Sequence, residues 1–183
     1  MEQVAIYKGV KILALAPYFS KTKDSENHST DAHSKTLIKF KNGDSDAISH
    51  MEKRLTDILL ASTLKDRDFY IATIPSSTKG KAHSGFKDLI INLSKKFKIL
   101  NPTANVLKRI ESKTPAHLGG SRKKADILST LSISAEMTLS IKGKPILLLD
   151  DITTTTNSLQ AGIDLLSEKQ AKVIVAIALG KTV

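Results

Sequence analysis

Two acids followed by a run of hydroxyls form the stretch of this sequence best suited to chemistry. In LLLDDITTTTNSL, Leu147 to Leu159, an apolar run carries Asp150 and Asp151 to what reads as the carboxyl end of a buried strand. That edge is where α/β sheets bind ligands. Thr153, Thr154, Thr155, Thr156, Asn157 and Ser158 then lead directly into a helical pattern. A helix start offers N–H groups without intrahelical partners and a partial positive charge, which together suit a phosphate. Hydroxyls add donors without bulk. The acids would repel that phosphate, so they should face something neutral, and a ribose diol can donate to carboxylates. Helix capping explains one of these residues, but not two acids and four threonines together. The predicted ligand is a sugar phosphate.

A second anion cradle is predicted at Pro75-Ser76-Ser77-Thr78-Lys79-Gly80-Lys81, which follows an apolar strand. It combines hydroxyls, lysines and a glycine that lets backbone approach a ligand. Further along, RIESKTPAHLGGSRKKAD gathers Arg109, His117, Arg122, Lys123 and Lys124 in a segment with no face to bury. Long loops inside a compact domain are usually functional. Positive side chains on a closing loop would stabilise a departing anion. No residue presents itself as a general base. Gly180-Lys181-Thr182 is not a Walker loop, because Val175 stands where its first glycine belongs and no helix follows. Lys181 is instead expected at the site's edge. His28 and His33 have no carboxylate or cysteine framework around them, which argues against a metal there.

These groups need a scaffold, and the hydrophobic pattern supplies one. Residues 4–16 hold two apolar runs around Lys8-Gly9 and predict a small hairpin. Residues 20–35 are polar throughout and read as a mobile loop. Apolar spacing predicts helices over 44–62, 85–97 and 157–168. Strands are predicted at 69–74, 105–107, 145–149 and 172–179. The last two are continuous apolar runs, as parallel strands buried on both faces require. The expectation is a single α/β domain over 1–183. Residues 1–43 would form a small N-terminal hood and the mobile loop. Residues 44–183 would form a parallel sheet of four or five strands with helices on both faces, and a flexible loop at about 109–125.

Composition narrows the class. Apolar residues make up 40%, an ordinary globular share, and no run is long enough to cross a bilayer, so no membrane partner is expected. Cysteine is absent, which suits a cytoplasmic setting and removes thiol chemistry. The net charge of +10 favours polyanionic partners, nucleic acid or phosphorylated ligands. With three tyrosines, five phenylalanines and no tryptophan, a base-stacking platform for single strands has little to build on.

The acid–threonine stretch resembles the signature of the type I phosphoribosyltransferases: hydrophobic residues, two acids, then threonines and serines around a glycine. Other segments are similar to the competence-protein ComF branch. Gly85 and Phe86 match its Arg-Gly-Phe helix start, with Ser84 in the arginine's place, and Arg109, Leu118 and Arg122 resemble its next strand and loop. The similarity runs through most of residues 35–181, and the branch's common cysteine zinc module has no counterpart in this cysteine-free chain. The resemblance implies that Asp150 and Asp151 hold the ribose hydroxyls of phosphoribosyl pyrophosphate. It implies that Thr154, Thr155 and Ser158 hold the 5′-phosphate. The 76–79 loop would hold the pyrophosphate, with Arg109 and Arg122 attending its departure. Thr156 stands where the family usually has glycine, so a positive φ there would strain it. The implied reaction transfers a phosphoribosyl group to or from a nitrogenous base, within nucleotide metabolism. Mg2+ would be carried mainly by ligand phosphates, diol and water, with Asp150 and Asp151 the available protein oxygens. Two alternatives are a non-catalytic phosphoribosyl pyrophosphate-binding regulator and a competence-type DNA-handling protein. A nucleotide monophosphate would suit the same site. A homodimer is compatible with this fold, though no residue pattern specifies one.

Overall fold

The computed structural model describes all of residues 1–183 except 22–23, 81–83, 113, 115–119 and 121–122. The apolar runs form the centre of a six-stranded sheet. Strands β4 (Tyr70–Thr73), β7 (Pro145–Thr153) and β8 (Lys172–Thr182) lie parallel in the order β4-β7-β8. The expected α/β architecture holds: a mostly parallel sheet flanked by helices. The N-terminal segment expected as a hood contributes strands to this sheet. Strands β1 (Glu2–Tyr7) and β2 (Val10–Ala14) are an antiparallel hairpin turning through Lys8 (φ 49°) and Gly9 (φ 79°). Two successive positive φ values suit the right-handed twist of the flanking strands. β2 then runs parallel to β8, from Lys11 opposite Val175 to Ala14 opposite Ala178, and β3 (Pro17–Tyr18) pairs with the end of β8.

Alternate residues of the central strands feed two cores. Ile71, Leu147, Leu149, Ile177 and Leu179 face helices α2 (Ala32–Lys41), α3 (Ser45–Leu60) and α4 (Ser84–Ser94). Ala72, Ile146, Leu148, Ala176 and Ala178 face α6 (Asn157–Glu168). Fully burying each large aliphatic or aromatic side chain stabilises by roughly 1.5–3 kcal/mol, so the sheet is fixed from both sides.

The mobile loop expected over 20–35 is corrected by the structure. Residues Ser25–Thr30 form α1, and α2 begins at Ala32. Aspartate caps explain the difference. Asp24 accepts from the Asn27 amide at 3.1 Å, and Asp31 accepts from the Ser34 amide at 2.6 Å. Leu37 and Phe40, beyond the polar stretch, then bury completely and dock α2.

A second correction concerns the short strand at 105–107. It is shifted to Leu107–Arg109 (β5) and pairs antiparallel with β6 (Leu131–Ile133), apart from the main sheet. Two asparagine side chains stand beside β4 in its place. Asn101 accepts from the Ile71 amide at 2.9 Å and donates to the Ile71 carbonyl at 2.7 Å. Asn105 does the same for Thr73, at 2.9 and 3.0 Å. Phe69 is paired by backbone: its amide donates to Lys98 and its carbonyl accepts from Leu100. Every outward backbone group of residues 69, 71 and 73 therefore has a partner. The loop after β5 leads, partly through residues outside those described, to the expected short helix, α5 (Lys124–Leu128).

Candidate functional site

The carboxyl ends of β4, β7 and β8 form one edge, and the acid pair, the threonine loop and the start of the 75–80 loop lie along it. Thr73 lies opposite Leu149, and the Ile74 amide donates to the Leu149 carbonyl at 2.8 Å. The 75–80 loop therefore leaves the sheet beside Asp150. β7 continues through both acids to Thr153, four residues beyond its expected end. Asp150 is buried and accepts from the Asp151 amide at 2.9 Å. Burial first, and the adjacent Asp151 charge second, push its carboxyl well above the usual carboxylate range.

Lys41, the last residue of α2, was not foreseen in this site. Its ammonium lies 3.0 Å from Asp151 Oδ2. Burial would lower its pKa, but the two carboxylates outweigh that and raise it, so the ammonium stays charged. Its placement is built by close packing of α2 on α4. Phe40 and Phe86 meet edge to face with centroids 5.2 Å apart. A Cβ on Gly85 would collide with the Phe40 carbonyl, so only glycine permits this approach. The Ser84 hydroxyl also donates to the Lys41 carbonyl at 3.3 Å.

The threonine loop leads into the start of α6 with one left-handed member. Thr153 Oγ1 accepts from the Thr156 amide at 2.9 Å, as a capping hydroxyl does. Thr156 is buried and left-handed, at φ 62° and ψ −1°, the conformation expected if it replaced a glycine. For a residue with a Cβ this costs roughly 1–2 kcal/mol. Its hydroxyl accepts from Gln160 Nε2 at 2.9 Å, which offsets part of that cost. The helix's first bond runs from the Gln160 amide to the Thr156 carbonyl. Thr154, Asn157 and Ser158 are half-buried and Thr155 is exposed around this opening. Lys181 Nζ donates to the Thr154 carbonyl at 2.8 Å, and the Thr154 and Thr182 hydroxyls lie 3.0 Å apart. Lys181 thus lies against the threonine loop.

In the second loop, Ser76 and Ser77 are half-buried, while Thr78 and Lys79 are exposed. Arg109 is buried beneath it. Its Nε donates to the Ser76 carbonyl at 3.0 Å, Nη2 to the Pro75 carbonyl at 3.1 Å, and Nη1 to the Thr130 hydroxyl. Burial lowers its pKa while Asp150 opposes that fall. A planar fork holding two successive carbonyls fixes the loop's path. A cavity of about 430 Å³ opens beyond this loop, lined by Pro75, Lys79, Phe86, Leu107 and Arg109 but by neither acid. Arg122, His117, Leu118 and Lys81 lie outside the described residues.

Residues 98–182 match the phosphoribosyl transferase domain family. No curated protein matches the chain. The matched span contains β5 to β8, the acid pair and the threonine loop, and it ends with β8. It excludes β4, the 75–80 loop and Lys41. The match therefore covers the strand–acid–loop–helix unit, and the other candidate groups lie in the preceding half. No helix among the described residues is long and apolar enough to cross a membrane. His28 and His33 serve the fold: His28 Nδ1 lies 2.7 Å from the Phe19 carbonyl oxygen, and His33 joins α2 to β8.

Proposed function

We propose that this protein binds phosphoribosyl pyrophosphate and transfers the phosphoribosyl group to or from a nitrogenous base. The observation that carries the reading is the delivery of Asp150 and Asp151 by one strand into a threonine loop at the start of α6. Asp151 accepts hydrogen bonds from the ribose hydroxyls, with Asp150 beside it. The Thr153–Ser158 loop surrounds the 5′-phosphate with amides and hydroxyls. The 76–79 loop, shaped by Arg109, receives the pyrophosphate, and Arg122 is proposed to attend its departure. A nucleophilic nitrogen forms its bond to C1 as the C1–oxygen bond to pyrophosphate breaks, and that electron pair leaves with the pyrophosphate. Among the described residues no group of three or more metal-ligating side chains forms. Mg2+ carried by the ligand's phosphates would neutralise the leaving group. A cytoplasmic homodimer of the ComF-like branch is the setting proposed for this activity.

Isothermal titration with phosphoribosyl pyrophosphate and Mg2+ tests the reading. Wild type should bind, and Asp150→Ala and Asp151→Ala should each weaken binding at least about tenfold, equivalent to about 1.4 kcal/mol. Absence of wild-type binding, or indifference to both substitutions, rejects it. A second reading, a binder without turnover, is favoured by the strained Thr156 in the cradle. Pyrophosphate release with a panel of bases separates the two, since a binder alone releases none.

A further inference from the structure

Two carboxylates beside a phosphate cradle pose an electrostatic problem, because their charge repels the phosphate the cradle is shaped to hold. The structure contains a counter-charge at the right place. Lys41 Nζ lies 3.0 Å from Asp151 Oδ2, with the lysine side chain 30% and the aspartate side chain 14% exposed. Partial burial makes such a pair stronger than a surface ion pair, and its effect reaches further. Lys41 does not arrive there by chance of a flexible surface chain. α2 is fixed by the fully buried Leu37 and Phe40, by the Phe40–Phe86 contact and by the close approach that Gly85 permits. Asp151 is the half-buried member of the acid pair: Lys41 holds its Oδ2 while its Oδ1 accepts from the Ile152 amide. Its rotamer is therefore set from two sides.

We infer that Lys41 is the positioning residue of the sugar-phosphate site: clamped on Asp151, it aims that carboxylate and cancels enough charge for an anionic ester to settle beside it. This rests on the reading proposed above. It also means that the matched segment, residues 98–182, lacks one charged group of its own site. The N-terminal half completes the site electrostatically, not merely by covering it.

The experiment is a double-mutant cycle read by titration with ribose 5-phosphate, on full-length protein with folding verified by circular dichroism. Lys41→Gln should weaken binding about tenfold, the scale of losing one charge-assisted contact. Lys41→Arg should restore most of it. In the Asp151→Asn background, where the carboxylate that Lys41 clamps is gone, Lys41→Gln should cost less than about twofold, a coupling that a general packing defect does not produce. An unchanged dissociation constant in Lys41→Gln overturns the inference, as does a full penalty retained in the Asp151→Asn background. If wild type fails to bind ribose 5-phosphate, both this inference and the reading beneath it fall. If wild type binds and Lys41 is indifferent, only the inference falls.

Discussion

Thr156 shows how much a single dihedral angle decides. Its φ of 62° is set by the tight passage from β7 into α6, and its hydroxyl partly offsets the strain through Gln160. Thr156→Gly would relieve about 1–2 kcal/mol of left-handed strain but would lose that bond and restrict a freer chain. The expected net change in unfolding free energy is below about 1 kcal/mol. Thr156→Val keeps the strain and loses the bond, so urea denaturation should show a loss of about 1–2 kcal/mol. Equal effects of the two substitutions would contradict this account. Asp150 carries a different tension. Its carboxyl sits well above the usual range in the fold, so the unfolded chain releases the proton first as pH rises from 3.8. Stability therefore declines as pH climbs from there toward the folded value. Asp150→Asn should raise the melting temperature at neutral pH by about 2–4 °C, with a gain that shrinks in acid, while ligand binding is lost.

At the level of elements, α2 is the hinge between fold and site. His33 Nε2 donates to the Leu179 carbonyl at 2.8 Å, and Arg54 donates to Nδ1 at 3.1 Å while also holding the Leu15 carbonyl. Burial, with Arg54 adding to it, places the imidazole pKa below its ordinary 6.5. The unfolded state takes up the proton first. The stabilisation is complete above pH 6.5 and is lost as the pH falls below it. Thermal melts from pH 7 to pH 5 should show a fall in wild type that His33→Gln, which keeps a donor, flattens; identical slopes would exclude His33 as the source. The element scale also shows what the sequence could disclose. α6 was legible to its last residue because its apolar spacing follows directly on the threonines. α1 and α2 were not, since the aspartates that cap them look like ordinary loop residues until their amide partners are known. Asp150 and Asp151 could be read from one local run. Lys41 could not, because it depends on Gly85 and Phe86, more than forty positions away.

For the whole molecule, the N-terminal segment is structural as well as electrostatic. Ile12, Leu37 and Phe40 are completely buried, and β2 covers the β8 side of the sheet. Deleting residues 1–43 exposes both that flank and the core beneath α2. The truncated chain should aggregate or elute as an expanded species in size-exclusion chromatography, and a cooperative thermal transition in it would refute this. The hairpin turn is also tied down at the opposite end of the sheet. Tyr7 and Lys8 both reach Asp164 of α6, the lysine at 2.6 Å, and Lys124 joins them at 2.8 Å.

The asparagine pair beside β4 bears on how copies of this chain could associate. With residues 69, 71 and 73 already occupied by Lys98, Leu100, Asn101 and Asn105, that flank accepts no further strand. The other margin of the sheet is β1, whose outward side has no strand partner among the described residues. A sheet with one open rim and one closed rim could join a twin only rim to rim through the open one, and the union would then have no margin left to extend. Two side-chain amides thereby set an upper limit on growth: edge pairing stops at a pair and cannot run on into a filament.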